Sequence, residues 1–114
     1  DISLVTKEDF ISIADSGPLG QLLDMAKENA GLTASPQLAT ETYHTAISLV
    51  KVGMGITIVD IFSARANAAS DIEITETKNM PGYDVSVSFL PNSDKSSLLH
   101  TFKDMLARTA LQVI

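Results

Sequence analysis

A chain of 114 residues has room for one compact domain and not for two. Apolar residues make up 45% of it but aromatics only 5%, with no Trp, so its core is aliphatic, built from Leu, Ile, Val, Ala and Met. A net charge of −6 repels phosphate backbones and anionic lipid headgroups, which makes this chain a poor candidate for gripping nucleic acid or an anionic membrane surface directly.

There is no cysteine, so disulfides and thiolate metal sites are excluded, and a reducing compartment fits. The start holds Asp1, Lys7, Glu8 and Asp9, which is not a signal-peptide pattern. It lacks Met and is acidic, as expected of a segment excised from a longer protein.

In chain order, residues 10–14 (Phe10, Ile11, Ser12, Ile13, Ala14) read as a short buried strand. Asp15, Ser16, Gly17 and Pro18 break it and open a helix, with Ser16 or Gly17 as N-cap and Pro18 in the first turn. Leu19, Leu22, Leu23, Ala26 and Ala30 recur on one face of that helix, and Gly31 sits where it should end. Residues 36–39 are a faint strand. Thr40 is placed to cap a second helix that turns Tyr43, Ala46, Ile47 and Val50 inward.

Gly53 and Gly55 end the second helix, and residues 56–59 form a dense β-branched strand. The apolar run over 52–59 is too short to span a bilayer and stops at Asp60. Residues 61–69 suit a short helix or an irregular turn. Ile72 and Ile74 alternate with polar residues as in an edge strand, and Asn79, Met80, Pro81 and Gly82 make a turn. Val85, Val87 and Phe89 alternate with serines as a half-buried strand. Ser93 and Asp94 open a last helix whose apolar face is Leu98, Leu99, Phe102, Met105, Leu106, Ala110 and Val113.

The order β-α-β-α-β-(α)-β-β-α predicts an α/β fold, a three-layer α/β/α arrangement around a mostly parallel sheet. Ligands of such sheets sit beyond the carboxyl ends of the strands, which directs attention to the loops 15–18, 39–42 and 60–63. At the first, Ser16 and Gly17 open a helix whose free N–H groups suit a carboxylate, or Ser16 simply caps it. At the second, Thr40, Glu41 and Thr42 offer hydroxyls and N–H groups for another polar atom, Thr42 foremost; capping is the plain alternative. At the third, Asp60 is either an ammonium acceptor or a helix N-cap, and the cap is favoured.

Catalysis is disfavoured. Glu41, His44 and Asp15 could be imagined as a set, but no activated nucleophile accompanies them, and Glu41 with His44 suits a surface pair equally well. His100 belongs to the polar face of the last helix. Two separated histidines without cysteine do not make a transition-metal site, and no cofactor is expected. Gly53-x-Gly55 lacks the third glycine and the preceding first strand of a dinucleotide fingerprint.

The stretch Glu41-Thr42-Tyr43-His44-Thr45-Ala46-Ile47-Ser48-Leu49-Val50-Lys51-Val52-Gly53-Met54-Gly55-Ile56 resembles the signature of LysR-type transcriptional regulators, "LV-x-x-G-x-G-I" running from a helix into a strand. Phe10-Ile11-Ser12-Ile13 before a polar loop, and Leu98-Leu99, Phe102 and Met105-Leu106 near the end, resemble the flanking parts in the right order. The resemblance implies one lobe of a class II periplasmic-binding-protein-like effector domain. It implies that residues 1–90 are the second lobe, that 91–114 are a closing helix returning toward the first lobe, and that the DNA-binding domain is absent from this chain. A small-molecule effector, DNA reached only through a missing N-terminal helix-turn-helix, a homodimer or tetramer, and a cytoplasmic location without membrane contact are implied with it.

Val59-Asp60-Ile61-Phe62 resembles a "V-D-P-F" variant associated with regulators of amino-acid and opine metabolism, with Ile61 in place of Pro, and so implies an effector with an amine as well as a carboxylate. A lobe of a transport substrate-binding protein, sharing the fold, and a pure oligomerisation module with an empty cleft are the rival readings.

Overall fold

The computed structural model describes residues 2–7, 9–14, 17–33, 37–78, 80, 82–92 and 96–114. The chain divides into two compact units, Asp1–Tyr83 and Asp84–Ile114.

The first unit is organised around strand β1 (Ile11–Ile13). It pairs in parallel with β2 (Leu38–Thr40) in the register Ile11↔Leu38, Ser12↔Ala39, Ile13↔Thr40. On its other side Phe10 forms a parallel bridge with Ile56, where Ile11 N–H donates to the Ile56 carbonyl at 2.7 Å and Ile56 N–H donates to the Asp9 carbonyl at 3.0 Å. The Thr57 hydroxyl extends this seam by donating to the Ile11 carbonyl at 2.9 Å. β1 is therefore the middle of three parallel segments, and Ile11, 1% exposed, is the centre of the core with Val5, Phe10, Leu19, Ala46 and Ile47.

α1 (Gly17–Asn29) buries Leu19 and half-buries Leu22, Leu23 and Ala26, as its spacing predicts, while Ala30 is exposed and lies past its end. It closes where Gly31 N–H bonds the Glu28 carbonyl at 3.0 Å and Leu32 N–H bonds the Lys27 carbonyl at 2.9 Å. α2 (Tyr43–Lys51) packs on β1 and β2 through Ala46 and Ile47, and α3 (Ile61–Ala66) packs on α2.

The two glycines of the signature have separate tasks. Gly53 adopts φ 81°, and with it the Gly53 and Met54 N–H groups bond back to the Val50 and Leu49 carbonyls at 2.9 and 3.0 Å, ending α2. Gly55, at φ 155°, lies so close to the neighbouring chain that a Cβ there would overlap the Asp9 carbonyl oxygen. Only glycine lets Ile56 settle beside Phe10.

Several expectations change. The faint strand moves to Leu38–Thr40, and Pro36 lies outside the described residues. The strand over 56–59 contracts to the single Ile56 bridge. No strand forms around Ile72 and Ile74 or over 85–89 among the described residues, and Ile74, Val85, Val87 and Phe89 are exposed. Alternation marks which face a strand would bury, but a strand exists only with a ladder partner, and none of the described residues supplies one. The fold is thus α/β with a small parallel sheet, narrower than the three-layer expectation. Asn79 and Pro81 of the expected turn lie outside the described residues.

The second unit holds an extended stretch over 84–90 and helix α4 (Ser97–Val113). Ser96 caps α4, its Oγ accepting from Leu99 N–H at 3.3 Å; the expected openers Ser93 and Asp94 lie outside the described residues. The Lys103 ammonium sits 4.2 Å from the Phe89 ring centroid and links the extended stretch to α4. The apolar stripe of α4 forms as predicted in sequence but is mostly uncovered, with Leu98, Phe102, Met105 and Leu106 exposed and Leu99, Ala110 and Val113 half-buried.

Thermal unfolding separates the glycine roles. Gly55→Ala should cost about 3 kcal/mol, because backbone strain and steric overlap add, whereas Gly53→Ala should cost only about 1 kcal/mol.

Candidate functional site

Parallel pairing places the carboxyl ends of β1, β2 and the Ile56 segment on one edge of the sheet. The Ala14 N–H donates to the Thr40 carbonyl at 2.7 Å and fastens the ends of β1 and β2 together. Each segment then hands over to a helix: α1 begins at Gly17, α2 is capped by Thr42 and α3 is capped by Asp60. Three helix starts, at Gly17, Thr42 and Asp60, therefore follow the carboxyl ends of the three segments. Ser16 lies outside the described residues, as does Asp15.

Thr40 does not cap α2. It is the last residue of β2, held in the ladder opposite Ile13, and its buried hydroxyl donates to the Thr42 carbonyl at 3.2 Å. The cap falls to Thr42, whose Oγ1 accepts from Thr45 N–H at 3.1 Å and donates to Thr45 Oγ1 at 2.8 Å. Asp60 takes the cap role that its sequence context favoured. Oδ1 accepts from Ser63 N–H at 2.9 Å and Oδ2 from the Ser63 hydroxyl at 2.6 Å, which fixes the carboxylate on the rim. Asp60 is half-buried, and among the described residues no Lys or Arg pairs with it; the ion pair that is seen joins Lys27 to Asp24 at 3.0 Å on α1.

Two phenols feel the charge of Asp60. Tyr43, the first residue of α2, is half-buried, and both it and Tyr83 hold their protons more tightly than an ordinary phenol. Burial is the first cause for each, and the negative charge of Asp60 is the second; Tyr83 also feels Tyr43. Sequence reasoning assigned Tyr43 only to the inward face of α2 and passed over Tyr83. A tyrosine directly after a capping threonine at a strand end was a usable signal for Tyr43. Tyr83 carries no local signal, because its link to Asp60 is electrostatic and spans a long stretch of sequence.

His44 Nδ1 lies 3.3 Å from Asn67 Oδ1, so the start of α2 is tied to the end of α3, and Asn67 Nδ2 donates to the Ser63 carbonyl at 2.9 Å. The histidine thus meets an amide in place of the Glu41 pairing considered from sequence. No group of three or more His, Cys, Asp or Glu gathers to hold a metal among the described residues. Nor is any helix among them long and apolar enough to cross a membrane. A cavity of about 350 Å³ opens between β1 and α1, over Phe10, Ile11, Ile13 and Ile58. Among the described residues of the candidate set it touches Gly17, and Ala14 at the end of β1 also lines it.

The family model for the LysR substrate binding domain matches residues 1–111. The HTH-type transcriptional regulator DgcR of Pseudoalteromonas sp. is 38% identical over 101 residues, which cover 87% of this chain and 34% of that protein. The chain thus spans about a third of the length of this curated relative. No solved structure matches.

The chain has two tyrosines, so an ultraviolet phenolate titration reads this rim directly. Both should ionise above the ordinary phenol range. Asp60→Asn, which still caps α3, should bring them part of the way down, burial being the larger cause. Raised phenol values also set the sign of the linkage: their contribution to stability is full below the unfolded-state value and falls as pH rises through the folded-state value.

Proposed function

The chain belongs to the LysR substrate-binding domain family, and from that premise we propose that it senses a small polar metabolite for a transcriptional regulator. The observation that carries this reading is the shared rim, where the three parallel segments end and the helices start at Gly17, Thr42 and Asp60. The first N–H groups of α1 and α2 have no partners within their helices and carry the positive end of the helix dipole, which suits a carboxylate. Ser16, Gly17, Thr40, Thr42 and Asp60 are the proposed contacts, with Thr40 acting from the end of its strand and not as a cap.

In the whole regulator this rim forms half of a cleft between two lobes. Residues 1–90 belong to the second lobe and 91–114 return to the first. The effector stabilises one lobe arrangement over another, by as much as its affinity differs between them, and so changes the spacing of DNA-binding heads in a homodimer or tetramer. DNA is met through a helix-turn-helix outside this chain, which accords with the net charge of −6 here. The regulator works in the cytoplasm and performs no catalysis. The 38% identity to a transcriptional regulator supports the class, and the strand-end geometry supports the site.

Calorimetric titration of the full-length regulator with a panel of amino acids and small organic acids tests the reading. One compound should bind saturably. Thr42→Asn, which keeps the helix cap, should weaken it about tenfold, a loss of about 1.4 kcal/mol, with an unchanged melting temperature. Unaltered affinity in that variant would remove the rim as the effector site.

A further inference from the structure

We propose that α3 is a spacer latched between two flanks of the sheet, and that His44 and Asn67 are the positioning residues that set the separation of the helix starts at Thr42 and Asp60. This rests on the sensing role proposed above and adds what holds that site at a fixed width. β2 and the Ile56 segment lie on opposite sides of β1, so their carboxyl ends stand about 10 Å apart, two strand spacings. Asp60 follows the Ile56 segment and the Thr42 cap follows β2. α3 has six residues, a length of about 9 Å. It starts on the Ile56 side, and its far end reaches the start of α2, where His44 Nδ1 meets Asn67 Oδ1 at 3.3 Å. One short helix therefore covers the interval between two of the proposed contacts.

Side chains fasten the spacer at both ends. At the first, Asp60 accepts from the Ser63 N–H and hydroxyl at 2.9 and 2.6 Å. At the second, Asn67 is half-buried at the C-cap of α3 and divides its amide between two helices. Its Nδ2 donates to the Ser63 carbonyl at 2.9 Å, and its Oδ1 faces His44. The Ser63 bond decides which way the amide points, because a carbonyl only accepts and the amide donates only through nitrogen. Oδ1 in turn only accepts, so His44 Nδ1 carries the proton and the neutral ring is the Nδ1–H tautomer, with Nε2 left as the acceptor. His44 stands in the same turn as the Thr42 cap, whose Oγ1 accepts from Thr45 N–H at 3.1 Å. A movement of α3 away from His44 thus shifts Asp60 relative to Thr42. A bound molecule that touches both tolerates little of this, since site geometry must hold to about 0.5 Å.

The test uses the full-length regulator and the compound of the amino-acid and organic-acid panel that binds it. His44→Ala and Asn67→Ala should each weaken binding about threefold to tenfold. The double variant should lose no more than the weaker-binding single, because each change opens the same latch. His44→Gln, which keeps a side-chain donor, should recover most of the loss. Melting temperatures near that of the unaltered protein separate positioning from unfolding. A second measurement needs no variant to fold well: isotope-labelled histidine in the unaltered protein, read by nitrogen chemical shift at about pH 9, where an ordinary imidazole is neutral, should show the Nδ1–H tautomer at His44. Unchanged affinity in both alanine variants, losses that add in the double variant, or an Nε2–H ring overturns the latch. If Thr42→Asn still weakens binding in that case, sensing at the helix starts stands without it. If no compound of the panel binds, the sensing reading and the spacer fall together.

Discussion

The rim depends on one close approach, that of Gly55 to the Asp9 carbonyl. The contact lets Ile56 exchange hydrogen bonds with Asp9 and Ile11 and so lie parallel to β1. If that seam opened, Asp60 would lose its place beside the ends of β1 and β2. The α2 termination at Gly53 serves the same end, turning the chain out of the helix only two residues before it must enter the seam. A packing requirement two backbone chains wide thereby positions a polar site at the far end of the segment.

The three helix starts carry two opposite electrostatic preferences. Helix starts at Gly17 and Thr42 bring partial positive charge from the backbone, whereas Asp60 brings a full negative charge screened by no basic side chain among the described residues. A ligand with one sign of charge satisfies only part of such a surface. The Thr42 hydroxyl and both Asp60 oxygens hold the first turns of α2 and α3.

Much of this was legible in the residues because the signals are local. The break after residue 14 and the paired glycines each encode a turn within a few positions, and the helices α1, α2 and α4 follow from apolar spacing. The Asp60 cap was legible for the same reason. What depends on partners was not. Val85, Val87 and Phe89 alternate as a strand should, yet alternation cannot summon a neighbour to pair with. Thr40 looked like a cap because it precedes a helix; pairing with β1 carried the strand through it and moved the cap to Thr42. Tyr83 feels the charge of Asp60 although the two are far apart in sequence, which no local pattern announces.

The mostly uncovered stripe of α4 has a consequence for the helix itself. A helix of 17 residues in water draws little stability from its own hydrogen bonds, and with Leu98, Phe102 and Met105 uncovered it gains little from packing. Its order is conditional on burial. Left uncovered, such a stripe leaves the helix free to fray. Covering it would therefore steady the helix as well as withdraw apolar surface from water.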